Sequence, residues 1–507
     1  MKAVARSWRL GSVALLSFWS GLPLGLVWIA IPAWLKTEGV DIKIVGLFTL
    51  AQAPWSFKFL WSPLMDRYPL PFMGRKRGWI FLSQIALLAL GLWLAGVSDH
   101  PDAIWVIFAV TLATGFAAAT QDIAYDAYTV EVLRREEQGA AVGARVAFYR
   151  VAMMLAGGTA ITLLMWVSWP MVNLILALLY LPALLVTWKA PEPEVVPDPP
   201  KTLKAAVWEP FVGFMQQHRA LEILLFVVLF KLSDALTQAL TRPFFIELGF
   251  SLEDVGVGSS VAAAVATVLG TVLGGLLTNG VGLGRALWIT GFLQIFSNLG
   301  YAALSLTGPS RLMLYGATFF ELGTSGMGTG AFGVLLLRLT QKRFSATQFA
   351  LLSSLMSFPR FLAGPPAGLM VDSMGWFNFY VFTIVTGIPG MIMLHRFVPW
   401  RVREPEFHVA APVARRPLTT RGLVLRAAVA GLVGGIVSLL TIAAMWGMKS
   451  YRAKHGFNYA HQIAQVLQPE TIGAWLTLAG LAVLAVTIGL MVAAALAARS
   501  KAPGVAG

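Results

Sequence analysis

Nine ionisable side chains fall inside long apolar stretches: Lys58, Asp122, Asp126, Arg150, Lys231, Asp234, Arg242, Glu321 and Arg360. A charge in hydrocarbon costs about 2.5 to 3.5 kcal/mol on insertion scales, so each demands a partner or a wet cavity and points to a solute or ion path. Asp122 and Asp126 stand four apart and share a helix face, where two carboxylates in low dielectric do not both ionise easily. That suits reversible proton uptake; the alternative is two carboxylates held by Lys or Arg near one membrane face. Glu321 follows Phe319 and Phe320 and precedes a run of small residues, Gly323, Thr324, Ser325, Gly326, Gly328 and Gly330. Desolvation there suits a carboxyl that takes up and releases a proton. The glycines themselves read as close helix packing in preference to a binding loop.

Lys231 and Asp234, three apart, either neutralise each other or divide the work, Lys231 meeting a substrate carboxylate while Asp234 takes a proton. Arg150 and Arg360 either clamp an anionic solute bidentately across a central cavity or each hold a carboxylate of their own half. Lys58 could face the bundle for structural reasons, and Arg242 could snorkel to an interface. Gln52, Gln121 and Gln238 offer the neutral donors and acceptors that a sugar hydroxyl or amide requires, or else serve as interhelical glue. Trp28, Trp55 and Tyr149 suit stacking on a sugar ring, with apolar packing the favoured alternative. The expected substrate-binding set is Gln52, Lys58, Gln121, Arg150, Lys231, Gln238 and Arg360, and the expected proton-coupling set is Asp122, Asp126, Asp234 and Glu321.

The elements that must carry these residues are membrane helices. Apolar residues make up 57% and charged residues 12% of the 507 positions, whereas soluble domains carry roughly a quarter charged. Runs long enough for a bilayer core of about 30 Å recur near 11–34, 43–64, 78–97, 103–124, 142–166 and 169–188. A linker at 189–221 follows, stiffened by Pro191, Pro193, Pro197, Pro199 and Pro200. Further spans lie near 222–246, 254–278, 284–306, 310–336, 346–370 and 374–397. A second linker, 398–420, leads to two more near 421–447 and 472–497. The reading is an all-α polytopic membrane protein of fourteen spans. Its expected domains are a six-helix bundle at 1–188, a second at 222–397, and an appendage at 421–507 with a periplasmic loop.

The two blocks align at one offset of 210 positions: Gly39 with Gly249, Gly46 with Gly256, Arg150 with Arg360, and Gly158 with Gly368. An even number of spans per repeat keeps both copies in the same orientation, which implies parallel halves related by an axis along the membrane normal. With the N-terminus inside, 27 of the 38 Lys and Arg residues fall on cytoplasmic segments, 6 outside (Lys36, Lys43, Arg311, Lys449, Arg452 and Lys454) and 5 within spans. That is a strong positive-inside pattern, so the net charge of +14 reads as topology and contact with anionic lipid, and no nucleic-acid partner is expected. The chain has no cysteine, which excludes disulfides, thiolate catalysis and Cys-ligated metals. His100, His218, His408, His455 and His461 lie in expected loops and His395 at a helix end, so neither an imidazole relay nor a metal site is expected. Lys2, Arg6 and Arg9 precede the first apolar run as in a signal peptide, yet the run continues to Trp34 and reads as a retained helix. No catalytic residue, cofactor or metal is expected; the expected partners are a small-molecule solute, protons and the bilayer, with the chain a monomer.

Between the second and third spans, Asp66, Arg67, Gly74, Arg75, Lys76 and Arg77 resemble the cytoplasmic gating loop of the major facilitator superfamily. An acid and several bases there can bridge helix ends in one conformation and release in another. The equivalent stretch, Asn279 through Arg285, lacks the acid, so any second latch is expected to be weaker. More specific resemblance lies in Leu60-Trp61-Ser62-Pro63-Leu64-Met65-Asp66-Arg67-Tyr68, Ala119-Thr120-Gln121-Asp122-Ile123-Ala124-Tyr125-Asp126-Ala127, Ala190-Pro191-Glu192-Pro193 and Phe344-Ser345-Ala346-Thr347-Gln348-Phe349-Ala350-Leu351-Leu352-Ser353. Phe230-Lys231-Leu232-Ser233-Asp234-Ala235 and Gly326-Met327-Gly328-Thr329 fit as well. By these residues the chain, over roughly 10–400, resembles the AmpG-like muropeptide permeases. The resemblance implies a major facilitator fold and proton-driven import of N-acetylglucosaminyl-1,6-anhydro-N-acetylmuramic acid, with or without its peptide, across the inner membrane of a Gram-negative cell. It maps Lys58, Gln121, Asp122, Asp126, Arg150, Lys231, Asp234, Glu321 and Arg360 onto the family's polar core, and leaves the last two helices unexplained. The alternatives are a carrier of another bulky anion such as acetyl-CoA, an exporter, or a membrane enzyme acting on lipid-linked glycans.

Overall fold

The computed structural model describes residues 7–100, 103–251, 253–407, 419–452, 456, 458–470 and 472–499. Lys2, Arg6, Lys454, His455 and residues 408–418 of the second linker, His408 among them, lie outside the described residues. Helices in chain order are α1 Trp8–Thr37, α2 at 42–67, α3 Arg77–Val97, α4 Ile104–Val132, α5 Gln138–Leu163 and α6 Trp169–Lys189. After α7, Leu203–Met215, come α8 at 220–247, α9 Asp254–Val281, α10 Leu283–Thr307, α11 Arg311–Leu339, α12 at 345–374 and α13 at 376–397. The appendage holds α14 Thr420–Arg452, α15 Tyr459–Leu467 and α16 Ile472–Arg499.

Ten of these are long and apolar enough by themselves to cross a membrane. Expected spans two, seven, ten and eleven are helical among the described residues but fall outside that set. Spans two and seven are not continuous helices. In α2, Pro54 and Pro63 each open a new helical segment, because a proline has no N–H to continue the ladder, and Lys58 lies in the short 3-10 turn between them. In α8 the helix breaks at Lys231 and again at Leu240, and the missing N–H of Pro243 accounts for the second break. Spans eleven and twelve are nearly fused; only Gly375, at φ 76°, separates them. The tenth, α11, is full length but carries Glu321 and its glycine run. Two segments expected as irregular contain helix instead: the first linker includes α7, capped by Thr202 Oγ1 accepting from Ala205 N at 3.1 Å, and the last loop includes α15.

Glycines set the closest approaches. A Cβ on Gly143 of α5 would sit 2.9 Å from Val272 Cα of α9, so the two blocks touch backbone to backbone along this seam. Within the second block, a Cβ on Gly326 would stand 2.6 Å from the Thr267 carbonyl oxygen and one on Gly330 2.5 Å from that of Thr271. The run after Glu321 is therefore a packing face against α9. In the appendage, a Cβ on Gly489 of α16 would meet the Ala427 carbonyl oxygen of α14 at 2.6 Å. The pair joins the second block through Arg452 Nε, which donates to Asp372 Oδ2 at 2.8 Å, and α16 also packs on α7.

Candidate functional site

Two charged clusters occupy the membrane interior, one per block. In the first, Lys58 Nζ of α2 reaches Asp126 Oδ2 at 3.2 Å and Asp122 Oδ2 at 3.8 Å on α4. The segmented α2 makes this possible, since the 3-10 turn between its prolines holds Lys58 almost wholly buried, at 7% exposure. Arg145 of α5 closes the other side, with Nη2 donating to Asp126 Oδ1. Its guanidinium lies over the Tyr125 ring, 4.9 Å to the centroid, and within 5.8 Å of the Phe349 ring on α12 of the other block. Gln121 Nε2 donates to Ser20 Oγ at 3.3 Å, and Gln121 Oε1 is buried without a partner.

In the second cluster Lys231 Nζ, at the first break of α8, meets Asp234 Oδ2 at 3.3 Å and Thr329 Oγ1 of α11 at 3.2 Å. Ser325 Oγ donates to the same Asp234 oxygen at 2.7 Å. One turn further, Gln238 Nε2 donates to Glu321 Oε1 at 3.3 Å; Glu321 is 1% exposed and its Oε2 has no partner.

The two arginines matched by the repeat are not ion-paired to a carboxylate among the described residues. Arg150 is half-buried, Arg360 is exposed, and they lie within electrostatic range of each other. Each is thus open to an anion, unlike Lys58 and Lys231. Arg242 is exposed and joins neither cluster. Trp28 and Trp55 meet edge to face at 6.3 Å, with the Trp55 indole N–H unpartnered; Gln52 lies one turn before Trp55, and Tyr149 is half-buried beside Arg150.

At the end of the bundle that carries the linker, Asp66 is completely buried and joins the blocks. Its Oδ1 accepts from Lys76 Nζ at 2.6 Å, Arg75 Nη2 at 3.3 Å and Ala346 N at 3.2 Å. Its Oδ2 accepts from Thr347 N at 2.9 Å and Thr347 Oγ1 at 2.7 Å. The N-terminus of α12, in the second block, is therefore capped by an acid from the first, where free N–H groups and the helix dipole favour a negative charge. Arg75 Nη2 also donates to the Arg343 carbonyl at 2.5 Å, and Ser345 Oγ to Glu131 Oε1 at 2.5 Å. This end is closed. Beside the latch, Arg338 of α11 also bonds across the blocks, Nε donating to Gln138 Oε1 at 3.1 Å.

Gly74, at φ 73°, turns the loop where a Cβ would collide with the Glu192 carboxylate. Arg77 Nε donates to Glu192 Oε1 at 2.8 Å, and Arg9 Nη2 to Glu194 Oε1 at 2.7 Å, strapping the linker to the first block. Hydrogen bonds from Arg134 and Arg9 hold the Glu194 carboxyl down at about 2. Arg67 takes no part in the latch and lies beside the Tyr68 ring.

Sequence reasoning missed Arg145, which falls inside the fifth apolar run but reads as a loop charge, and Glu131, at the end of α4. The latch partners Ser345 and Thr347 stand within a matching family word, yet nothing in their types announces contact with Asp66.

A profile described as Major Facilitator Superfamily matches residues 13–364. A protein named anhydromuropeptide permease from Escherichia coli (strain K12) is 42% identical over 388 residues, 76% of this chain and 79% of the relative. A putative transporter AmpG 4 of Rickettsia felis is 31% identical over 403 residues, 77% of this chain and 97% of the relative. Among solved structures, the Escherichia coli fucose:proton symporter FucP superposes with a TM-score of 0.59 at 12% identity, covering 77% of this chain and 99% of that one.

Proposed function

The chain belongs to the Major Facilitator Superfamily and to its AmpG-like permeases, and from that premise we propose that it imports anhydro-muropeptides in symport with protons. It is a multi-pass membrane transporter, not an enzyme. In this reading it sits in the inner membrane of a Gram-negative cell with both termini cytoplasmic, acts as a monomer, and carries GlcNAc-1,6-anhydro-MurNAc with or without its peptide from periplasm to cytoplasm. The cargo assignment rests on the 42% identity with a permease of that name.

The two blocks, 1–188 and 222–397, rock about the glycine seam of α5 and α9, tethered by the 189–221 linker, with 398–420 leading to the appended 421–507. In this reading the linker end is cytoplasmic, and closure at the Asp66 latch shuts the path to the cytoplasm. Arg150 and Arg360, which have no carboxylate partner among the described residues, receive the acidic cargo, and Gln52, Gln121 and Gln238 meet its hydroxyls and amides. Lys58 and Lys231 hold the carboxylates Asp122, Asp126 and Asp234 and exchange them for cargo. Glu321 carries the proton, and its buried, half-satisfied carboxyl is the observation that supports coupling. With proton and cargo both aboard, the Asp66, Arg75, Lys76 and Glu131 contacts part, and the solute leaves inward.

Uptake of radiolabelled anhydro-muropeptide into energised membrane vesicles tests this. Wild type should concentrate the label and lose it when an uncoupler is added, whereas Glu321→Gln should equilibrate label without concentrating it. Full gradient dependence in Glu321→Gln would remove the proton assignment; no uptake by wild type of any anhydro-muropeptide would remove the cargo.

A further inference from the structure

Away from the transport path, a cavity of about 430 Å³ opens on the outer wall of the second block at its linker end, lined by Arg285, Ile289, Trp400 and Arg401. Arg285 is in the first turn of α10 and Arg401 follows α13; both are exposed, and neither has an ion pair or hydrogen bond among the described residues. Most other arginines at this end are committed: Arg338 to Glu404, Arg396 to Glu222, Arg219 to the Arg396 carbonyl and Arg403 to the Gly280 carbonyl. Two guanidiniums that line one cavity, with no acid among its lining residues, repel each other until an anion sits between them.

The wall leading away from this pair is apolar and aromatic. Arg285, Ile289, Phe292 and Phe296 fall at helical spacing on one face of α10, and eleven residues at 1.5 Å each span about 16 Å, roughly one leaflet of a bilayer core. Phe292 and Phe296 face outward and stack at 6.5 Å, with 39% and 53% of their surface exposed. Trp400 stands at the polar end of this track, edge to face with Trp288 at 5.3 Å and with Phe292 at 5.9 Å. Trp288 is itself fixed by donating Nε1–H to the Val398 carbonyl at 2.8 Å. The order along the wall is cations, interfacial indole, then phenyl rings, which is the order of phosphate, glycerol and acyl chain in a phospholipid.

We propose that this cavity binds one anionic glycerophospholipid, its phosphodiester between Arg285 and Arg401 and an acyl chain along Ile289, Phe292 and Phe296. The lipid bridges the start of α10 and the end of α13, and so braces the second block against the membrane at the end where the latch opens.

Native mass spectrometry of the full-length protein in neutral detergent tests this with three probes: phosphatidylglycerol, phosphatidylcholine and inorganic phosphate. Wild type should retain one phosphatidylglycerol about tenfold more tightly than phosphatidylcholine, near the increment expected of basic groups at an anionic surface. The double variant Arg285→Gln/Arg401→Gln should lose that preference, while Arg421→Gln/Arg426→Gln, which removes the same charge from the appendage, should keep it. Trp400→Ala should weaken both lipids alike. Excess inorganic phosphate should leave the bound lipid in place. The proposal is overturned if the Arg285/Arg401 variant keeps the preference, if the charge-matched variant loses it equally, or if inorganic phosphate displaces the lipid and marks a site for free anions.

Discussion

Asp126 sits between two cations, and its two oxygens are divided between Lys58 and Arg145. Asn in its place would leave both cations facing a neutral amide in a buried site. Breaking a buried pair from one side costs about 3 to 5 kcal/mol, so Asp126→Asn should lower the thermal unfolding midpoint in detergent sharply and abolish uptake. Asp122, at 3.8 Å from Lys58 and slightly more exposed, is the weaker partner. Asp122→Asn should cost well under half as much stability, which a side-by-side melt would show; equal losses would mean that Lys58 depends on both. Glu194 behaves differently because it lies in the exposed strap. Its folded value, about 2, is below its ordinary 4.5, so its contribution is complete above about pH 4.5 and is lost as pH falls through about 2. A label-to-label distance between the strap and α1 should therefore stay constant from about pH 5 to 8, and Glu194→Gln should lengthen it throughout that range; a change with pH in wild type would contradict the assignment.

The latch is a helix-terminus device, and its strength comes from charge-assisted bonds to backbone N–H groups, worth about 1.5 to 3 kcal/mol each against about 1 for neutral ones. Asp66→Asn keeps an acceptor but loses the charge. It should shift the equilibrium by roughly 2 kcal/mol, about 30-fold, toward opening at the linker end. Because the chain has no cysteine, a single Ser353→Cys on α12 would report this as faster thiol labelling; an unchanged rate would mean that Asp66 is not the latch. The long apolar helices were legible because hydropathy registers length and composition. The breaks in α2 and α8 were not, although Pro54, Pro63 and Pro243 are visible in sequence, because the same prolines are tolerated in intact membrane helices. Likewise the i, i+3 pairing of Lys231 with Asp234 is a local relation that sequence contains. The Lys58–Asp126–Arg145 arrangement joins three helices, and only the fold brings it together. The glycines after Glu321 read as packing, and their contact with α9 shows which surface they serve.

At the scale of the whole chain, two blocks built on one plan hold their charges in different ways. Each has a lysine-held carboxylate cluster, yet the repeat-matched Arg150 and Arg360 have no carboxylate partner among the described residues, and the latch acid exists in the first block alone. Under the proposed function, Arg150 and Arg360 are where the anion is accepted and the Asp66 end is where it is released. Membrane insertion and transport impose separate constraints on the same lysines and arginines. The most direct measurement is proton movement caused by the cargo itself. Purified protein in liposomes holding a pH-sensitive dye, with no gradient imposed, should acidify the lumen when anhydro-muropeptide is added outside, and Glu321→Gln should abolish that signal while still admitting the solute. Solute entry into wild-type liposomes with no change in internal pH would contradict the account.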